Sequence, residues 1–273
     1  MSRLPHVARG TDAGWPDLVD ELDRWGKARQ VATFWWRDDD AVAPSAELDR
    51  LVAIAGKVPI ALAVIPAEAA AELADWLSHS ARSFGGARLA VLQHGWCHSN
   101  YSAGGKKSEF PSTRSSESVA YDLAAGRRRL TALFETRALA VLVPPWNRFD
   151  DGFLQLLVGC GIGAISRVKP RRAASPAPGL VEANVHVDLV AWASNRGFIG
   201  EGLALGGLVA HLRARRRGSV CPAEPTGILT HHRIQDAETD KFLRRLVAVT
   251  GAHAAARWLE ASEVFAAPRL VLP

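Results

Sequence analysis

Leu89-Ala90-Val91-Leu92-Gln93-His94-Gly95-Trp96-Cys97-His98 is an apolar run that delivers the chain to two histidines four residues apart. Read as a strand, it presents two imidazoles at one place. Neutral imidazole is the commonest nitrogen ligand of zinc-type ions. By itself the spacing is more often that of a solvated turn than of a site. Its weight depends on how the other strands of the chain end.

Several other strands end in the same way. Val31-Ala32-Thr33-Phe34-Trp35-Trp36 is β-branched and aromatic, a strand that runs into Arg37-Asp38-Asp39-Asp40. Three carboxylates in a row repel one another unless a cation or arginine offsets them. A strand over 138–143 runs into Pro144-Pro145-Trp146-Asn147-Arg148. One over 227–230 runs into His231-His232-Arg233, and one over 185–190 carries His186 and Asp188. A strand over 58–65 and a short one over 163–166 complete the set. Between the strands, apolar residues recur at helical spacing over 15–30, 45–56, 67–81, 118–134, 153–160, 202–216, 237–249 and 257–265. Alternating strands and helices in one domain imply a parallel sheet with right-handed crossovers, open or closed as a barrel. In both forms chemistry collects at the carboxyl ends of the strands. The polar stretch 99–118, with Lys106, Lys107, Glu109 and Arg114, reads as a binding loop or lid.

Composition narrows the class. The chain has 273 residues, 48% of them hydrophobic, and a net charge of +5. The excess sits in short clusters, Arg127 to Arg129, Lys169 to Arg172 and Arg213 to Arg217, which read as solvated helix ends. No basic face interleaved with aromatics is present, so nucleic-acid binding is not expected. No apolar run reaches the roughly 20 residues of a membrane span. The start, Met1 to His6, has no apolar signal core, and a cytoplasmic protein is expected. Cys97, Cys160 and Cys221 form neither a disulfide framework nor a CxxC knuckle.

In order along the chain, these motifs resemble those of the polysaccharide deacetylases, the NodB-like carbohydrate esterases. Arg37-Asp38-Asp39-Asp40 is similar to the family's Thr-Phe-Asp-Asp. His94 to His98 has the spacing of its His-Ser/Thr-x-x-His, and Val143 to Asn147 is similar to its proline-aromatic motif. Leu229-Thr230-His231 matches its Leu-x-His, while Asp188 and Trp192 echo its Asp/Trp motif. The resemblance covers roughly residues 31–265. It implies an irregular (β/α) barrel of about seven parallel strands over 31–273, preceded by a helical extension over 1–30. It also implies one divalent ion, zinc by preference, held by Asp40, His94 and His98. Asp39 would be the general base and His231 the general acid. Pro145, Trp146 and Asn147 would line the substrate and oxyanion side, with Arg37, Arg148, Asp188 and His232 in support.

The implied activity is removal of an acetyl group from an N- or O-acetylated sugar or polysaccharide. Hydrolysis of another linear or cyclic amide, or an inactive metal- or sugar-binding role, are the alternatives. The sequence departs from the family pattern in three ways. Val143 stands where an arginine often pairs with the base, leaving Arg37, Arg114 or Arg148 to replace it. Asn147 replaces a glycine, and His232 follows His231, so that either is a candidate acid. A register one residue earlier would make Asp38 the base and Asp39 the ligand. Partners are expected to be a carbohydrate or small molecule; the oligomeric state is open.

Overall fold

A computed structural model describes residues 12–83 and 88–266. Residues 1–11 of the expected extension lie outside these. Nine strands are present among the described residues: β1 (Ala32–Ala41), β2 (Ile60–Val64), β3 (Leu89–His94), β4 (Ala138–Val143), β5 (Ala164–Ile165), β6 (Val181–Glu182), β7 (Val187–Asp188), β8 (Thr226–Thr230) and β9 (Ala256–Trp258). All pairs are parallel, in the order β6-β5-β4-β3-β2-β1-β8-β7, with β9 beside the start of β1. Helices α1 (Trp15–Lys27), α2 (Ala46–Ala55), α3 (Glu72–Ser83), α4 (Ser116–Phe134), α5 (Leu154–Gly159), α6 (Glu201–Arg216), α7 (Ala237–Ala252) and α8 (Ala261–Val264) accompany them.

The sheet is rolled. β1 and β5 are four strand steps apart, about 19 Å in a flat sheet. Yet the Arg37 guanidinium on β1 donates to Ser166 Oγ, one residue past β5, at 2.9 Å. Only a curved sheet brings these together. The alternation of strand residues explains what fills it. Trp35, Ala61, Ala63, Leu92, Val141, Val143, Ala164, Ala183 and Leu229 form one buried cluster inside the curve. Their neighbours Phe34, Trp36, Ile60, Leu62, Val64, Val91 and Ile228 join the layer under the helices. Alanines on the inner face make room for the Trp35 ring and the Arg37 guanidinium. The irregular parallel barrel expected from the sequence is thus present, with two-residue strands raising the count to nine.

Several local expectations are corrected. β1 does not stop at Trp36 but runs on through Arg37-Asp38-Asp39-Asp40 to Ala41. Burying those charges is possible because each finds a partner. The helix expected over 67–81 begins only at Glu72, after a 3-10 turn at Pro66–Glu68. The strand expected over 185–190 is confined to Val187–Asp188. The helix expected over 257–265 is instead β9 and the single turn α8. Trp258 there packs on Phe34 with ring centroids 5.3 Å apart.

Nor are the arginine clusters simply solvated. Arg215 is buried, donating to Thr33 O and Thr33 Oγ1 at 2.8 Å each. Arg216 pairs with the buried Glu21 at 2.7 Å. Arg127 and Arg129 cap the carbonyls of Ala138, Pro66 and Ala69.

At the amino ends of β7 and β8 lies a second buried polar group, His186, His211 and Glu224. The two imidazoles stack with centroids 3.4 Å apart. The Gly227 N–H donates to His186 Nδ1 at 3.0 Å. Burial, with Arg215 and Arg171 nearby, lowers the pKa of His186 from 6.5 to about 3. Burial likewise pushes His211 well down. Below pH 6.5 an unfolded chain binds protons that the folded one refuses. Stability present above pH 6.5 is therefore lost as pH falls toward 3. His186→Asn keeps an acceptor for the Gly227 N–H but cannot titrate. Urea unfolding between pH 6.5 and 4 should then show a slope shallower than wild type by about one proton. An unchanged slope would mean that His186 is not held neutral.

Candidate metal and hydrolytic site

The site is built where β1, β3, β4, β7 and β8 end. On β1, alternation sends Arg37 and Asp39 inward and Asp38 outward. The same rule would send Asp40 outward, but the register slips between Asp38↔Leu62 and Ala41↔Val64. Asp40 there has φ 70°. Such a bulge re-aims a side chain. It turns the Asp40 carboxylate towards the end of β3, where Oδ1 lies 3.1 Å from His94 Nε2 and 3.5 Å from His98 Nε2.

These three donors suit a metal ion. Tetrahedral bonds of about 2.1 Å place neighbouring donors about 3.4 Å apart, and the two observed separations bracket that. All three ligand atoms lie within 4.8 Å of one another. The tautomer agrees: His94 Nδ1–H donates to the Val143 carbonyl at 2.9 Å, which leaves Nε2 as the ligand atom. Electrostatics agree as well. Burial raises the Asp40 carboxyl, but the hydrogen bond from His94 and the charges of His94, His231 and His98 outweigh it and hold the group well below the ordinary range. Burial lowers His94, but Asp40 and Asp39 reverse this and raise it. Burial, then the charge on His94, lowers His98. The cluster is shaped around a positive charge.

The His186 cluster offers the opposite case. Its atoms are also within 4.8 Å. But the N–H aimed at His186 Nδ1 forces the ring proton onto Nε2, the atom that faces Glu224 at 3.6 Å. That nitrogen has no lone pair to give a metal.

Asp39 is almost wholly buried beside the triad. Arg37 Nη2 donates to its Oδ2 at 3.0 Å, and Nε stands 2.9 Å from Oδ1 as an ion pair without hydrogen-bond alignment. The same guanidinium donates to Asn147 Oδ1 at 2.6 Å and to Ser166 Oγ. Of the three candidate arginines, Arg37 is therefore the one that meets Asp39. Arg114 pairs with Asp122 at 2.7 Å, and Arg148 donates to the Lys107 carbonyl.

Asp38 is on the other face. It accepts from Thr230 Oγ1 at 2.6 Å, from the His232 N–H at 3.0 Å and from His232 Nδ1. Alternation past β8 gives Thr230 and His232 to this outer network and His231 to the interior. There the His231 and Trp192 rings pack edge to face, with centroids 4.8 Å apart. His231 Nδ1 has no hydrogen-bond partner among the described residues. Asp188 accepts from Trp192 Nε1 at 2.7 Å and from the Val190 N–H. Burial raises its carboxyl, partly offset by the charge of His231.

Pro145 is buried, and Trp146 and Asn147 both have positive φ, 54° and 56°. The Trp146 ring lies on His98 with centroids 4.4 Å apart. Beside Asn147 opens a cleft of about 400 Å³, lined by Ser108, Phe110, Ser112, Arg148 and Arg167 among others. Two participants were not singled out from sequence. Ser166 follows a two-residue strand and has no motif. Glu109 lay in the expected loop or lid, but that segment is half core: Phe110 is buried and packs on Phe149 at 5.3 Å.

None of the described helices is long and apolar enough to cross a membrane. No protein-family model matches the sequence, and no curated protein matches it. Solved structures do match. One is a Mycobacterium smegmatis protein assigned as a polysaccharide deacetylase, at 15% identity and a TM-score of 0.55, covering 93% of this chain and 92% of that one. Another is a family 4 acetyl xylan esterase from Clostridium thermocellum in complex with a cobalt ion. It matches at 12% identity and a TM-score of 0.50, covering 85% and 89%. At these identities the likeness is one of fold. The chain has the NodB-like polysaccharide deacetylase fold, as a divergent example of it.

Proposed function

We propose that this chain is a divalent-metal-dependent hydrolase that removes an acetyl group from an N- or O-acetylated sugar or polysaccharide. The observation that carries the reading is the pairing of two carboxylates at the end of β1. Asp40 faces His94 and His98, and Asp39 beside it is held by Arg37 and left off the donor set. Holding a metal or a sugar does not call for a second carboxylate set beside the donors, whereas taking a proton from an attacking water does. The fold likeness supports the same reading.

Asp40, His94 and His98 would hold the ion, with zinc preferred for a two-imidazole, one-carboxylate set. When bound, such an ion polarises the scissile carbonyl and acidifies the attacking water. The chain's own residues do the rest. Asp39, oriented by Arg37, accepts the proton of the attacking water. His231 delivers a proton to the departing amine or alkoxide, with Asp188 opposing the charge it carries. His232 is committed to Asp38 and plays no part in the transfer. The turn around Trp146 lies on the oxyanion side, and the cleft beside Asn147 receives the neighbouring part of the substrate. The reading takes the substrate to be a cytoplasmic carbohydrate or small metabolite.

Two measurements follow. Purified protein loaded with zinc and desalted should carry one equivalent, lost in Asp40→Ala and His94→Ala and kept in His186→Asn. Two equivalents, or retention in both triad variants, would contradict the ligand set. Acetate release from a panel of acetylated amino-sugar oligomers and acetylated xylan should fall by about 10²–10⁴ in Asp39→Asn and in His231→Gln. Zinc content should stay the same in both. Turnover undiminished in Asp39→Asn would remove Asp39 from the base role.

A further inference from the structure

Between His94 and His98 the backbone makes a turn with two left-handed residues, Gly95 at φ 60° and His98 at φ 55°. Past the strand, only the first N–H of the turn still finds a strand partner. The Gly95 N–H is taken by the Val143 carbonyl at 3.1 Å. The next two are taken by one side chain. Glu109 Oε1 accepts from the Cys97 N–H at 2.8 Å, and the Trp96 N–H is shared between Oε1 and Oε2 at 3.2 Å each. The Cys97 thiol also donates to Oε1, at 3.5 Å. Glu109 is fully buried. The space it occupies is the space a side chain at residue 95 would need. A Cβ on Gly95 would lie 1.9 Å from Glu109 Oε2 and 2.7 Å from the Pro145 ring.

Glu109 is itself anchored. Phe110 is buried against Phe149, Arg114 donates to the Glu109 carbonyl at 3.2 Å, and Tyr101 N–H bonds to the Ser108 carbonyl at 2.9 Å. The segment that reaches over the site thereby grips the segment that carries the histidines.

We infer that Glu109 is the positioning residue of the histidine turn: its carboxylate, filling the place of a side chain at Gly95, fixes the N–H groups of Trp96 and Cys97 and so sets where His94 and His98 meet Asp40. The metal half of this inference rests on the ligand set proposed above; the turn-holding half does not. Groups that orient ligands from behind typically change metal affinity 10- to 100-fold when removed. A glutamine with its oxygen in the place of Oε1 keeps one acceptor for each N–H and loses only the share of the Trp96 bond that Oε2 takes.

The test uses the full chain in a Cys160→Ser/Cys221→Ser background, so that Cys97 is the only thiol. Zinc affinity is measured by competition with a chromophoric chelator. Cys97 reactivity towards a disulfide reagent is measured in metal-free protein. Glu109→Ala should bind zinc about 10- to 100-fold more weakly, and Cys97 should react faster than in the background protein. Glu109→Gln, which keeps the acceptor and removes the charge, should stay within about threefold on zinc affinity and leave the thiol rate close to the background. A purely electrostatic role would make the glutamine as damaging as the alanine, and that result overturns the inference. So does an alanine variant with unchanged thiol reactivity. Should the background protein bind no zinc at Asp40, the ligand set fails, while a faster thiol in Glu109→Ala would still assign the turn to Glu109.

Discussion

Three ionisable side chains in succession, Arg37, Asp38 and Asp39, are buried in the central strand of this barrel. Removing each from water costs several kcal/mol unless partners return it. That constraint organises much of the molecule. Arg37 needs Asp39, Asn147 and Ser166, which ties β1 to the ends of β4 and β5 across the barrel interior. Asp38 needs Thr230 and His232, which ties β1 to β8 on the outside. In turn Thr230 Oγ1 accepts from Trp36 Nε1 at 2.9 Å.

The same strand shows how one backbone irregularity makes chemistry. Regular alternation would give Asp38 and Asp40 the same environment. The bulge after Asp38 separates them, so that neighbouring carboxylates take three roles: one structural, one paired with arginine, one facing two histidines. At β8 the alternation is left intact and separates His231 from His232 by the same logic. Positive φ angles at Asp40, Gly95, His98, Trp146 and Asn147 all fall within this site. They mark where the backbone departs from its preferred wells to aim side chains.

Much of this was legible in the sequence, for reasons that can be named. Strand-and-helix alternation survives in local apolar patterns, so the parallel barrel was readable, as was the clustering of His94, His98, Asp40 and His231 at strand ends. What was not readable depends on distance in the chain. Arg37 could not be chosen over Arg114 and Arg148, because its partners are Asn147 and Ser166, more than a hundred residues away. β1 read as ending at Trp36, because a run of charges ordinarily ends a buried strand. Glu109 read as a loop residue, because its partners are backbone N–H groups, which leave no mark in a sequence. Arg215 read as solvated because its partners, the carbonyl and hydroxyl of Thr33, are far away in the chain. Arg257 and Trp258 read as helix because a strand of three residues carries little periodicity.

The central claim is that the Asp40, His94 and His98 donors hold one divalent ion beside an arginine-paired Asp39. Anomalous X-ray scattering from crystals grown with zinc tests it most directly. A single strong peak is expected about 2.0–2.2 Å from an Asp40 oxygen and from Nε2 of both histidines, with Asp39 outside bonding distance and still against Arg37. A peak at His186 and His211 instead, or Asp39 drawn into the coordination shell in place of Asp40, would contradict it.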